Sequence, residues 1–195
     1  MKMFVGRKVV DFAPGENTYG LGVVVETWRD EKSSRIDLHW KYALPDSVHI
    51  MGLTLDGEVI AIEEERPGVG LYVHLVGETI DGETYPIPVH RIIAHAARGL
   101  LEETGYAGDL KLLSSIFENS GKSDRLIHTV LATNCSKVGA PEEGITVKLM
   151  KPAEFFRTMV AYFRANPASP HGGGNTLKLM MLAFEELGLI TIKEG

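Results

Sequence analysis

The sequence of 195 residues lacks the features that several classes of protein require. Cys135 is its only cysteine, which excludes an internal disulfide and a cysteine-rich zinc site. Acidic residues outnumber basic ones 26 to 20, the net charge is −6, and no block of lysine and arginine occurs. This balance argues against general binding of nucleic acid or of anionic membranes. It leaves room for a local basic pocket that binds a phosphate.

Long apolar runs are also missing. No run approaches the roughly 20 apolar residues that a membrane-spanning helix needs. Charge and glycine interrupt the opening MKMFVGRKVVDF before a signal-like stretch forms. With 44% hydrophobic and 24% charged residues, the composition is that of an ordinary globular protein. We therefore expect a soluble, cytoplasmic protein with one main domain, and the length leaves room for a small appendage.

What is present is mostly strand, because short runs rich in β-branched and aromatic residues alternate with turn signals. The predicted strands are 19–28, 34–44, 47–55, 58–65, 70–77, 110–117, 126–133 and 144–150. Helical spacing appears at about 89–104, 152–165 and 175–187. This mixture predicts an α/β (α+β) fold in which helices cover both faces of a sheet.

The predicted helix at 89–104 contains one residue that is unfavourable in a helix. Its apolar residues recur every three or four positions, and Gly105 is a plausible stop in the left-handed conformation. Gly99, however, lies inside the helix, where glycine costs roughly 1 kcal/mol relative to alanine. On local sequence alone, Arg98 and Glu102 are an i, i+4 ion pair on a solvated face.

The wider segment resembles the Nudix box, in which Gly, five residues and Glu are followed by Arg-Glu-aliphatic-x-Glu-Glu-x-Gly-aliphatic. The matching residues are Gly77, Glu83, Arg98, Leu100, Glu102, Glu103 and Gly105, with Tyr106 as the final hydrophobic residue. The flanks resemble the ADP-ribose and ADP-sugar pyrophosphatase branch, through EEERPGVGLYVHLVG before the box and NTLKLMMLAF near the end. The resemblance implies an α/β/α sandwich with a mixed sheet over 46–195. It also implies an N-terminal strand element over 1–45, by which that branch often forms homodimers.

The resemblance implies Mg²⁺ or Mn²⁺ as cofactor and a nucleoside diphosphate linked to another group as substrate. Hard divalent cations take oxygen ligands. The implied metal ligands are Glu102, Glu103, the backbone carbonyl of Val76, and Glu83. Glu103 is also implied in catalysis, and the implied substrate contacts are Arg66, Gly77 and Arg98.

Three candidate site residues also have a purely structural interpretation. Glu142 and Glu143 stand where relatives carry a further acid, so one of them is a candidate base or extra ligand, or both are solvated loop acids. Arg66 is either a phosphate contact or a surface turn residue.

Two departures from the family pattern matter. Fourteen residues separate Glu83 from Arg98, where the family has seven. Seven extra residues are close to two helical turns, so the helix face can survive the insertion. Gly99 stands where the family has the first glutamate of the helix, and positions 99, 102 and 103 share one helical face. One carboxylate is therefore missing, unless Glu78 or Asp81 takes its place.

Other motifs carry less weight. HGGGNTLK (171–178) lacks the Walker spacing and predicts a loop followed by a helix with Asn175 or Thr176 as N-cap. His90 and His95 are five apart, not at the i, i+4 spacing of a zinc site, and are expected to be ordinary helix residues. Three functions remain open: a pyrophosphohydrolase, a catalytically impaired nucleotide-sugar sensor, and a structural dimer part without ligand.

Overall fold

A computed structural model describes residues 2–11, 22–66, 70–80, 86–118, 123, 125–165 and 173–189. The chain divides into two compact units. The first comprises residues 1–47 and 115–127, and the second comprises 48–114 and 128–195. The boundary at 45/46 that the sequence predicts between an N-terminal element and the main domain stays a prediction. Within the first unit, the Asp46 carboxylate accepts the backbone N–H of Leu126 at 2.8 Å.

The first unit contains a three-stranded antiparallel sheet in the order β1-β2-β3. Its strands are β1 (Lys2–Asp11), β2 (Gly22–Asp30) and β3 (Ile36–Ala43). Strand β1 was not among the sequence predictions, because charges interrupt its apolar residues. The turn between β2 and β3 is closed by the Asp30 carboxylate, which accepts the N–H groups of Ser33 and Lys32. These bonds, that of Ser33 first, hold the pKa of Asp30 below its ordinary value.

The two faces of this small sheet differ. Lys2 and Arg35 bind Asp37, and Lys41 binds Glu26, on one face. The ion pair with Lys2 is the main reason that the pKa of Asp37 is lowered. The alternate residues of β3 lie on the opposite face and are apolar and exposed. We call Ile36, Leu38 and Trp40 the β3 stripe.

The large sheet has the order β10-β5-β4-β9-β8, with β6 paired to β5 and β7 paired to β4. Its strands are β4 (Asp46–Thr54), β5 (Val59–Arg66), β6 (Gly70–His74), β7 (Val76–Ile80), β8 (Tyr106–Phe117), β9 (Leu126–Lys137) and β10 (Thr146–Met150). The helices are α1 (Val89–Thr104), α2 (Pro152–Ala165) and α3 (Gly173–Glu186).

Side chains that alternate along the central strands enter two separate cores. Ile60 and Ile62 of β5 pack with Leu100 of α1, whereas Val59 and Ala61 pack with residues of α2 and α3. Successive residues of a strand point to opposite faces, so each face of the sheet receives its own helix layer. The predicted sandwich of a mixed sheet between helices is confirmed.

The helix boundaries agree with the prediction except at α3. This helix begins at Gly173, so Asn175 and Thr176 lie in its first turn and the predicted N-cap is wrong. Among the described residues, no helix is long and apolar enough to cross a membrane.

Candidate active site

Helix α1 carries the acidic residues, and Gly105 sets where it ends. Gly105 is left-handed, with φ 73°, and its N–H donates to the Leu101 carbonyl at 2.8 Å. A Cβ at Gly105 would collide with the carbonyl oxygen of Gly139 and lie 2.8 Å from its carbonyl carbon. Glycine is therefore required both by the backbone angle and by the close approach of the 138–145 loop.

The 138–145 loop is held against the end of α1 by three backbone hydrogen bonds. The N–H groups of Val138 and Gly139 donate to the Gly105 carbonyl, at 2.8 and 3.0 Å. The N–H of Glu142 donates to the Glu102 carbonyl at 2.9 Å. Residues 102 and 142, forty positions apart in sequence, are therefore neighbours. The backbone of Glu142, one of the two loop acids that the sequence singled out, therefore lies beside the backbone of Glu102.

Gly99 faces Glu78 of strand β7. A Cβ at Gly99 would lie 2.5 Å from Glu78 Oε2 and 3.1 Å from Glu78 Cβ. Gly99 is itself buried in the interface of α1 with the sheet. Glycine at position 99 leaves this space to the Glu78 side chain, and any larger residue would require the Glu78 carboxylate to shift.

The two oxygens of the Glu78 carboxylate differ in their surroundings. Oε1 accepts a hydrogen bond from Arg98 Nη2, which also lies 3.2 Å from His95 Nδ1. His95 Nδ1 also lies 3.4 Å from Glu78 Oε1, so the three side chains meet at one point. Glu78 Oε2 is buried and has no hydrogen-bond partner among the described residues. The side chain as a whole is only 14% exposed.

The other acids are more accessible. The Glu102 side chain is 63% exposed, and its Oε2 lies 4.0 Å from Arg98 Nε. Glu103 is half-buried, whereas Glu142 and Glu143 are exposed. Arg98 therefore lies between Glu78, which is buried, and Glu102, which is solvated.

Strand β7 supplies the remaining described positions. Val76 is fully buried, and Gly77 follows it on the exposed side. A Cβ at Gly77 would lie 3.6 Å from the His49 ring. Arg66 ends strand β5, with its backbone paired to Gly70. The Arg66 side chain lies outside the described part of the chain, as do Asp81 and Glu83.

Carboxylate oxygens are the donors that Mg²⁺ and Mn²⁺ prefer. Within the described ranges, no three metal-ligating side chains already form a group that could hold an ion. The buried, unpartnered Oε2 of Glu78 is an oxygen donor that a divalent cation would satisfy. The donor chemistry fits such a cation, and the flexible, exposed side chain of Glu102 is free of the packing that confines Glu78.

The comparisons with known proteins agree with this architecture. No family model matches the chain, and no curated protein matches it. Among solved structures, one described as an ADP compounds hydrolase matches with a TM-score of 0.67 and 15% identity, over 96% of this chain and 94% of that one. The chain has the Nudix fold. A Nudix hydrolase from Nitrosomonas europaea matches with a TM-score of 0.51 and 16% identity, over 77% of this chain and 99% of that one.

The structure gives Glu78 and His95 a larger part in the candidate site than the sequence predicts. The sequence indicates Glu78 only as one of two acids able to replace the missing one, and it predicts His95 to be an ordinary helix residue. A signal was available for both. Glu78 directly follows the box glycine Gly77, and His95 precedes Gly99 by one helical turn, on the same face.

Proposed function

We propose that the chain is an Mg²⁺- or Mn²⁺-dependent hydrolase of the pyrophosphate bond in a nucleoside diphosphate derivative, of the ADP-ribose or nucleotide-sugar type. The observation that carries the proposal is the approach of three acidic segments to one helix end. These segments are β7 with Glu78, the end of α1 with Glu102 and Glu103, and the loop with Glu142. The likeness to an ADP compounds hydrolase over nearly the whole chain supports the substrate class.

The proposed reaction adds water across the P–O–P bridge and releases two phosphorylated products. When bound, a divalent cation would neutralise phosphate charge and lower the pKa of a coordinated water. Glu102 and Glu103 would hold it, with the Val76 carbonyl and Glu83 as further donors from the box. Glu142 or Glu143, exposed beside Glu102, would accept the proton of the attacking water or add a ligand.

The basic residues would bind the substrate. The Arg98 side chain is 54% exposed, so a phosphate can reach its guanidinium from solvent. We also propose that Arg66 contacts the phosphates and that the backbone at Gly77, exposed and without a side chain, lets the substrate approach closely.

A second function, a sensor that binds a nucleotide sugar without cleaving it, is favoured by one observation. Gly99 removes a carboxylate from the helix face, and the described residues contain no ready group of three ligands. The two functions differ in turnover rather than in binding.

The deciding experiment is a panel of ADP-ribose and nucleotide sugars incubated with Mg²⁺ or Mn²⁺, with products separated by chromatography. We expect AMP and a sugar phosphate, and Glu103→Gln should lower kcat by about 10²-fold or more. Glu185→Gln, an exposed acid of α3, is the matched control and should match the wild type. Binding by calorimetry without any turnover would refute the hydrolase and leave the sensor.

We further propose that the protein is a cytoplasmic homodimer. Strand β3 is an edge strand in the described sheet, and the β3 stripe is more than half exposed at each of its three residues. Exposed apolar edge strands invite pairing with another chain. The single, buried, unpaired Cys135 suits a reducing compartment.

A further inference from the structure

Positions 78 and 99 share one volume. A Cβ at residue 99 would lie 2.5 Å from Glu78 Oε2, which is too short for a real contact, and 3.1 Å from Glu78 Cβ, which is tight. With the Glu78 carboxylate in its observed position, there is therefore no room for a second side chain at this point of the interface between β7 and α1. The chain places a glutamate on the strand and a glycine on the helix.

The Glu78 carboxylate combines an ion pair with Arg98 and a buried oxygen that has no hydrogen-bond partner among the described residues. A buried carboxylate oxygen without a partner is costly, and native proteins rarely keep one. Glu78 keeps Oε2 in this state while Arg98 binds Oε1. Ligating carboxylates are commonly oriented in this way, with one oxygen held by a neighbouring donor and the other left for the ion.

We infer that Glu78 supplies, from strand β7, the metal-binding carboxylate that helix α1 lacks at Gly99. This inference rests on the proposed cation-dependent function and names a residue for it outside the helix. Arg98 and His95 act as positioning residues, because the guanidinium holds Glu78 Oε1 and His95 Nδ1 lies 3.2 Å from the same nitrogen. The missing box acid is thus replaced rather than lost.

The test is an exchange of the two residues. Four proteins are compared: the wild type, Glu78→Gly, Gly99→Glu, and the double variant that carries both changes. Each single variant should bind Mn²⁺ roughly 10–100-fold more weakly, the loss typical of disturbing the surroundings of a metal. In Gly99→Glu the cause is collision with Glu78. The double variant, which restores one glutamate to the shared volume, should regain most of the affinity.

Binding is measured by calorimetry and by the spin-resonance signal of free Mn²⁺, neither of which depends on turnover. Thermal unfolding without metal tests the shared volume directly. Gly99→Glu should lower Tm in the wild-type background and much less in the Glu78→Gly background. If the losses of Mn²⁺ affinity and of Tm in the two single variants simply add in the double variant, the inference is overturned, since sites that do not interact have additive effects.

Glu78→Gln keeps the shape of the side chain and removes its charge, so it tests the inference even if Gly99→Glu does not fold. It should weaken Mn²⁺ binding, whereas Glu185→Gln should leave it unchanged. Wild-type affinity in Glu78→Gln would overturn the inference while leaving the hydrolase in place. Mn²⁺ binding that depends on Glu78, without hydrolysis of any substrate, would refute the hydrolase alone. Absence of Mn²⁺ binding by the wild type would refute both.

Discussion

The large sheet and the small N-terminal sheet use similar apolar residues in opposite ways. Ile60 of β5 is 0% exposed beneath helix α1, whereas Ile36 of β3 is 55% exposed. Both strands alternate side chains between two faces, but helices cover both faces of the large sheet. The apolar face of the small sheet is open within the described part of the chain. The difference shows that an apolar pattern specifies a face to be buried, and not the element that buries it.

Replacement of matched isoleucines should separate the two sheets most strongly. Ile60→Ala removes fully buried methyl groups and should cost about 2–5 kcal/mol of unfolding free energy. Ile36→Ala removes exposed ones and should change it by less than about 0.5 kcal/mol. Urea unfolding at low protein concentration measures both.

Equal losses of unfolding free energy in the two variants at low concentration would contradict the comparison, because the β3 stripe would then be buried within one chain. A loss in Ile36→Ala that rises with protein concentration would instead support it. That result would mean that a second copy covers the stripe, as the proposed homodimer requires.

Left-handed backbone positions offer a second contrast. Gly105 in the large unit meets the 138–145 loop, whereas Ser34 in the β2–β3 turn reaches φ 58° with an exposed side chain. Gly105→Ala should cost more than the roughly 1–2 kcal/mol of the backbone conformation alone. Ser34→Gly should instead stabilise the turn by up to about 1 kcal/mol. Thermal unfolding measures both, and a loss of stability in Ser34→Gly would show that its side chain matters.

Thiol labelling compares the two units with the smallest expected effect. Cys135 is buried in the large unit, and burial raises the pKa of its thiol above the ordinary value. Its thiolate is therefore scarce near neutral pH and becomes available only as the pH rises. A cysteine introduced by Leu38→Cys, in the β3 stripe, should react at least about tenfold faster with a thiol reagent. Slow labelling at Leu38→Cys that becomes fast on dilution would again indicate a second copy.

Much of the secondary structure of the large unit could be predicted from the sequence. Strands β4, β5, β6, β8, β9 and β10 and the three helices were predicted close to their observed positions, because their periods of two and of 3.6 are regular. Strand β7 was not predicted as a separate strand, since the sequence predicted one strand over 70–77, whereas β6 ends at His74 and β7 extends from Val76 to Ile80. The Nudix-like sandwich was confirmed as a fold. Strand β1 was missed because its charges hide the alternation, and the start of α3 was misplaced because three glycines suggested a loop.

The candidate site likewise has features that the sequence alone determined and features that only the tertiary structure decided. The shared face of positions 99, 102 and 103 and the stop at Gly105 follow from local geometry, so the sequence alone determined them. The position of Glu78 over Gly99 does not follow from local geometry, since Glu78 and Arg98 are twenty positions apart in the sequence and a helix and a strand must first pack together. The same holds for the bond from Glu142 to Glu102. Periodicity determines which side chains share a face of one element, whereas only the packing of elements decides which faces meet.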